Sequence, residues 1–186
     1  MRSSADIQRL TRGLARGRDA DFLRFHDLYY DRLQHYLLAF SQDPGLTNEA
    51  IQETYLRVAK HARVFREEPP FWNWLCAIAR NALRDLARAR RRYRDTLERL
   101  ANEDAPDAQP QELSPEADPW PQNLQEGLAR LPDTDREVLM AKYFEKRTVR
   151  EIAQSLEISE KAVESRLSRA RERLRTLLHA SNHAHS

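Results

Sequence analysis

The chain has 186 residues, and 31 Lys plus Arg are nearly balanced by 29 Asp plus Glu, for a formal net charge of +2. Cys76 is the only cysteine, which excludes an internal disulfide framework and points to a reduced, cytoplasmic setting. No run of about eighteen apolar residues occurs, which excludes a helical membrane insertion, and MRSSADIQRL lacks the apolar centre of a secretory signal.

Only four glycines occur, and long stretches are rich in Ala, Leu, Arg and Glu. Those side chains lose little rotamer freedom in a helix, so an all-α fold is expected. Residues 1–18 read as an N-terminal extension. A first module is expected at 19–95. Its first helix places Phe22, Phe25, Leu28, Tyr29, Leu33, Tyr36, Leu37 and Phe40 at helical spacing, and Pro44 and Gly45 end it. A second helix, 47–64, buries Ile51, Tyr55, Val58 and Ala62. Its other side presents Glu49, Glu53, Leu56 and Lys60, with Gln52 at the edge. An exposed leucine among acids is a candidate docking surface, although single exposed leucines are common.

The third helix is expected to follow Pro69 and Pro70, in FWNWLCAIARNALRDLARARRR. Leu75, Ile78, Ala79, Ala82 and Leu86 form its apolar stripe. Trp74, Asn81, Arg84, Asp85 and Arg88 share the opposite face. Trp72 lies near the stripe and reads as core. Trp74 reads as exposed, and an aromatic ring beside arginines suits an unstacked base; Phe71 extends the aromatic cluster.

A linker is expected at 96–120. Within it, residues 101–119 hold four prolines, six acids and no Lys or Arg, a composition that predicts an extended chain. The second module, 121–178, precedes a tail, 179–186. Thr134 with Glu137, and Thr148 with Glu151, have capping-box spacing. Ser159 is a candidate N-cap for the last helix. Ile152, Leu156, Ile158 and Val163 would fill the crossing of two helices joined by a short turn, the pattern of a helix-turn-helix. On the last helix, Val163, Leu167, Ala170, Leu174 and Leu177 make one apolar stripe. Lys161, Ser165, Ser168 and Glu172 point away from it, and Arg166, Arg169 and Arg173 line one shoulder. Such a helix suits base edges at its front and phosphates at its sides.

Positive charge sits at the end of each module. Residues 71–94 carry seven Arg against one Asp, and residues 160–178 carry one Lys and five Arg against three Glu. One basic helix is often only a solvated face. Two of them, each closing a module, favour a chain that meets DNA at two places.

Four segments in order carry a family resemblance: EAIQETYLRV at 49–58, FWNWLCAIARNALRDLARARRR at 71–92, LPDTDREVLMAKYF at 131–144 and REIAQSLEISEKAVESRLSRARERLR at 150–175. The chain resembles bacterial RNA polymerase sigma factors of the extracytoplasmic-function (ECF) group of the sigma-70 family. The resemblance implies a sigma-two-like bundle and a sigma-four-like helix-turn-helix domain. It implies no catalysis and no cofactor. It assigns Glu49, Gln52, Glu53 and Leu56 to the coiled coil of the core polymerase's largest subunit. It assigns Phe71, Trp74, Asn81, Arg84, Asp85 and Arg88 to the −10 promoter element. Lys161, Ser165, Arg166, Ser168, Arg169 and Arg173 fall to the −35 element. An anti-sigma protein is a further partner that the family implies.

The sequence departs from the family at several points. The docking helix opens T-N-E-A, less acidic than is usual; a phosphate on Thr47 or a neighbour would restore charge. Ala59 stands in place of a usual tryptophan, Glu157 in place of a turn glycine, and Glu164 in place of a common lysine. Two other readings stay open: a helix-turn-helix regulator that works without polymerase, and an enzyme. His26, His35 and His61 match no metal-site spacing, and the tail HASNHAHS has no acid or cysteine partner.

Overall fold

The computed structural model describes the backbone of residues 3–100 and 122–184, and the side chains of 3–96 and 123–179. Residues 96–100 of the expected linker continue a helix, and the rest of it lies outside the described residues; of the expected tail, 179–184 continue the last helix. The chain divides into two compact units, 1–114 and 115–186. No strand occurs among the described residues.

The first unit holds α1 (Ser4–Ala15), α2 (Asp19–Ser41), α3 (Pro44–His61) and α4 (Glu68–Leu100). Residues 4–15 are not a loose extension. Ser3 caps α1 by accepting from the Asp6 amide, and Ile7, Leu10 and Leu14 are buried. Their three- and four-residue spacing makes one stripe that must be covered. The helix stops at Gly17, whose φ is 68°. The Arg18 amide reaches the Gly13 carbonyl at 3.1 Å and the Gly17 amide reaches that of Leu14 at 3.0 Å, a Schellman ending that needs a left-handed residue.

Asp43 caps α3, accepting from the Leu46 amide at 2.9 Å, and Pro44 occupies the first turn, where its missing donor does no harm. The same tolerance lets α4 start at Glu68, before Pro69 and Pro70 rather than after them. The core between α2 and α4 is aromatic: Tyr29 stacks on Trp72 with centroids 6.1 Å apart, and Phe71 packs edge-on to Tyr29 at 5.2 Å. The Arg32 guanidinium covers the Trp72 ring at 3.8 Å and bonds Glu68 at 3.2 Å. Trp72 is therefore core, as its position near the stripe predicts.

The second unit holds α5 (Gln122–Arg130), α6 (Asp133–Leu139) with a π-helical continuation at Met140–Phe144, α7 (Val149–Leu156) and α8 (Glu160–Ala184). The capping box predicted at Thr134 does not form. The helix starts two residues earlier, with Pro132 in the cap position and no side-chain cap. Arg136 does the joining instead: buried at 4% exposure, it donates to the Leu131 carbonyl at 3.0 Å and to Asp133 at 2.9 Å. That ties the end of α5 to the start of α6 and satisfies a carbonyl the helix leaves open. Gly127 sits where α5 meets α8; a Cβ there would lie 3.0 Å from Leu174 Cδ1.

Candidate nucleic-acid interface

The second unit presents a helix-turn-helix. Thr148 and Glu151 form the predicted capping box: the Glu151 amide donates to Thr148 Oγ1 at 3.2 Å, and the Thr148 amide donates to the Glu151 carboxylate at 2.7 Å. That amide bond, first, and the Thr148 hydroxyl, second, hold the Glu151 carboxyl below the ordinary glutamate value. The turn between α7 and α8 contains Glu157 in the left-handed region, φ 55°. The Ile158 amide closes the turn on the Ala153 carbonyl at 3.1 Å, and Ser159 caps α8 through the Ala162 amide at 3.2 Å.

α8 is held by its apolar stripe. Val163, Leu167 and Ala170 are buried, while Leu174 and Leu177 are half-buried. Ile152 is fully buried beneath the turn. Packing one face fixes the other, and Lys161, Ser165, Ser168 and Arg169 are all exposed, with Arg166 half-buried beside them. Among the described residues, neither Lys161 nor Arg169 has an ion pair. Arg173 differs. It bonds the carboxylate of Asp135, a buried residue of α6, and so clamps α8 to its own unit. Glu172 pairs with Arg175 at 2.6 Å.

In the first unit, Asn81, Arg84, Asp85 and Arg88 are exposed along one face of α4. Their spacing of three and four residues makes them a single row. Asp85 is bonded by Arg57 of α3 at 2.9 Å. Trp74 is half-buried rather than exposed; its ring lies 5.3 Å from Phe65 and 6.0 Å from Phe71. Phe71, expected on the DNA, is fully buried. It follows two prolines at the start of α4, where the helix turns its first aromatic into the core against Phe25, 6.1 Å away. A buried ring cannot stack on a base, so Phe71 leaves the set and supports Trp74 from beneath.

On α3, Glu49, Gln52 and Leu56 are exposed, Leu56 at 57%, and Glu53 is half-buried. Both acids are already paired. Arg90 of α4 bonds Glu49 at 2.7 Å and Asp43 at 3.0 Å; Arg57 bonds Glu53 at 2.8 Å. The Glu53 bond, first, holds the Arg57 guanidinium above its ordinary value. Thr47 cannot take a phosphate in this fold: it is fully buried, with its hydroxyl 2.6 Å from that of Ser41. The bridges from Arg90 to Asp43 and Glu49 and from Arg57 to Asp85, and the α1 packing, escaped the sequence reading because each depends on partners distant along the chain; the local pairs of Arg57 with Glu53 and of Arg136 with Asp133 lay within its reach and were missed. No helix among the described residues is long and apolar enough to cross a membrane.

Comparison with known proteins follows the same division. A family model described as sigma-70 region 2 matches residues 25–93, and one described as sigma-70 region 4 matches residues 122–174. The chain is similar to the probable RNA polymerase sigma factor RfaY of Xanthomonas campestris, at 32% identity over 149 residues, which is 76% of this chain and 36% of RfaY. The chain thus spans little more than a third of the length of that relative. It is also similar to the ECF RNA polymerase sigma factor SigM of Bacillus subtilis, at 28% identity, covering 82% of this chain and 91% of SigM. Among solved structures, CnrH in complex with the cytosolic domain of CnrY aligns with a TM-score of 0.58 and 26% identity, over 94% of this chain and 97% of CnrH.

Proposed function

Since the chain belongs to the ECF group of the sigma-70 family, we propose that it is a promoter-specificity subunit of bacterial RNA polymerase: it joins the core enzyme, reads −35 and −10 elements and assists melting. The observation that carries this reading is the pair of polar, basic faces, one per unit, each opposite a packed apolar stripe. A row of Asn81, Arg84 and Arg88 beside Trp74 stands in the unit matched to region 2. Lys161, Ser165, Ser168 and Arg169 stand on the last helix of the unit matched to region 4.

The −35 contact is assigned to the front of α8. Lys161, Ser165 and Ser168 face base edges, and Arg166 and Arg169 face phosphate. Arg173 contributes chiefly by holding α8 in place. The −10 contact is assigned to Trp74, with Asn81, Arg84 and Arg88 beside it; stacking captures a base after it leaves the duplex. Asp85 aligns the row through Arg57. Gln52 and Leu56, with Glu49 and Glu53, form the face for the largest-subunit coiled coil. The pairing of both acids makes Leu56 and Gln52 the principal contacts. An anti-sigma protein would act by covering these faces, and the site of action is the cytoplasm. The domain division we adopt is 19–95 and 121–178, with α1 added to the first domain.

Purified protein mixed with bacterial core polymerase, then used for run-off transcription on a sheared genomic library, tests the reading. Stable association and new start sites preceded by a shared motif are expected. DNA binding with no association with core would replace it with a polymerase-independent regulator.

A further inference from the structure

Residues 62–67 join α3 to α4 without helical structure, apart from the bend at 66–67, and lead directly into the aromatic cluster around Trp74. Backbone donors in such a segment need acceptors from elsewhere. One is supplied from the other end of the unit. The Phe65 amide donates to Thr11 Oγ1, on α1, at 3.0 Å. Thr11 is fully buried. Its hydroxyl lies within donating distance of two carbonyls, that of Ile7 on its own helix at 2.8 Å and that of Phe65 at 3.3 Å. Bonding back to the residue four before is a common habit of threonine in a helix, and it leaves the oxygen's lone pairs turned outward to accept.

The apolar contacts of α1 are made by Ile7, Leu10 and Leu14. Packing alone would accept valine at position 11, which has the same shape. The hydroxyl there serves the 62–67 segment. Fixing the Phe65 backbone fixes its ring, which is buried, 5.4 Å from Phe71 and 5.3 Å from Trp74. The Arg63 guanidinium covers the Phe65 ring at 5.0 Å. The chain of contacts therefore runs from Thr11 to the Phe65 backbone, to the Phe65 ring, to Trp74.

We propose that Thr11 is a positioning residue for capture of the melted promoter strand, clasping the 62–67 segment so that Phe65 supports Trp74. This rests on the function proposed above. The test uses the full chain assembled with core polymerase, as wild type, Thr11→Val and Thr11→Ser. Each holoenzyme is offered a pool of single-stranded oligonucleotides with a short randomised stretch. Wild type is expected to enrich a motif. Thr11→Val should enrich it roughly tenfold less, because a buried amide loses its acceptor, while its affinity for core polymerase is unchanged. Thr11→Ser, which keeps the hydroxyl, should recover most of the enrichment. Wild-type enrichment by Thr11→Val overturns the proposal. So does a parallel loss of core affinity in Thr11→Val, which would mark a general fold defect. If wild type itself enriches nothing, the sigma-factor reading fails, and this proposal fails with it. Hydrogen exchange of the Phe65 amide in wild type and Thr11→Ser gives a test independent of the valine variant. Slow exchange in both is expected; exchange as fast as at neighbouring exposed amides overturns the clasp.

Discussion

Arg169 and Arg173 stand four residues apart on the same shoulder of α8, yet they face different chemistry. Arg169 is exposed and has no ion pair among the described residues, so its charge is available to phosphate. Arg169→Ala should weaken binding to upstream duplex and reduce the log–log salt slope by about one unit, since each phosphate contact releases close to one counterion. Titrations at several salt concentrations read this directly; an unchanged slope would place Arg169 off the DNA. Arg173 instead meets a buried carboxylate on α6. Arg173→Ala should lower the stability of the second unit by about 1–2 kcal/mol, because Asp135 is left without its cation, discounted for the solvent exposure of Arg173. Its salt slope should change less than that of Arg169→Ala. Thermal unfolding and the same titrations separate the two.

The helix-turn-helix is set by its ends as much as by its stripe. Thr148 and Glu151 cap α7 reciprocally, and the Glu151 carboxyl is held below the ordinary glutamate value. A group whose folded value is depressed contributes stability above its unfolded value, and loses it as pH falls through the folded one. Glu151→Ala should therefore destabilise the second unit near neutral pH, and the gap from wild type should close as pH falls below the ordinary glutamate range. Unfolding midpoints measured at neutral and acid pH check the sign; a gap that widens in acid would contradict it. At the other end of α7, Glu157 takes a left-handed conformation that glycine holds at lower cost. The bond from the Ile158 amide to the Ala153 carbonyl closes the turn in spite of that, at a cost on the order of 1 kcal/mol relative to glycine.

For the whole molecule, the proposed function calls for two DNA contacts of different kinds, with duplex reading assigned to α8 and strand capture to the Trp74 region. Trp74→Ala should therefore leave upstream-duplex affinity near wild type and slow open-complex formation by roughly ten- to a hundredfold, the worth of one stacked base. Permanganate reactivity of unpaired thymines, beside duplex affinity, resolves the two steps; equal loss in both would make Trp74 a packing residue only. Its half-buried seat on Phe65 and Phe71 adds a measurable packing loss to the substitution, so unfolding is followed in parallel.

The sequence by itself determined the all-α class, the composition of the two basic modules, the order of the four family segments, the α7 capping box and the stripe of α8. Each of these is a local property: a period, a cap or a charge run. Tertiary structure alone decided that Phe71 faces inward while Trp74 stays half-open, because prolines 69 and 70 start α4 early and turn its first ring toward Phe25. It brought α1 into the core and placed Thr11 on Phe65, 54 residues away. It turned Glu49, Asp85 and Arg173 from apparently open charges into partners of Arg90, Arg57 and Asp135. Helical periodicity says which residues share a face. Which cation reaches which acid across two helices depends on how those helices pack, and no one-dimensional pattern carries that distance.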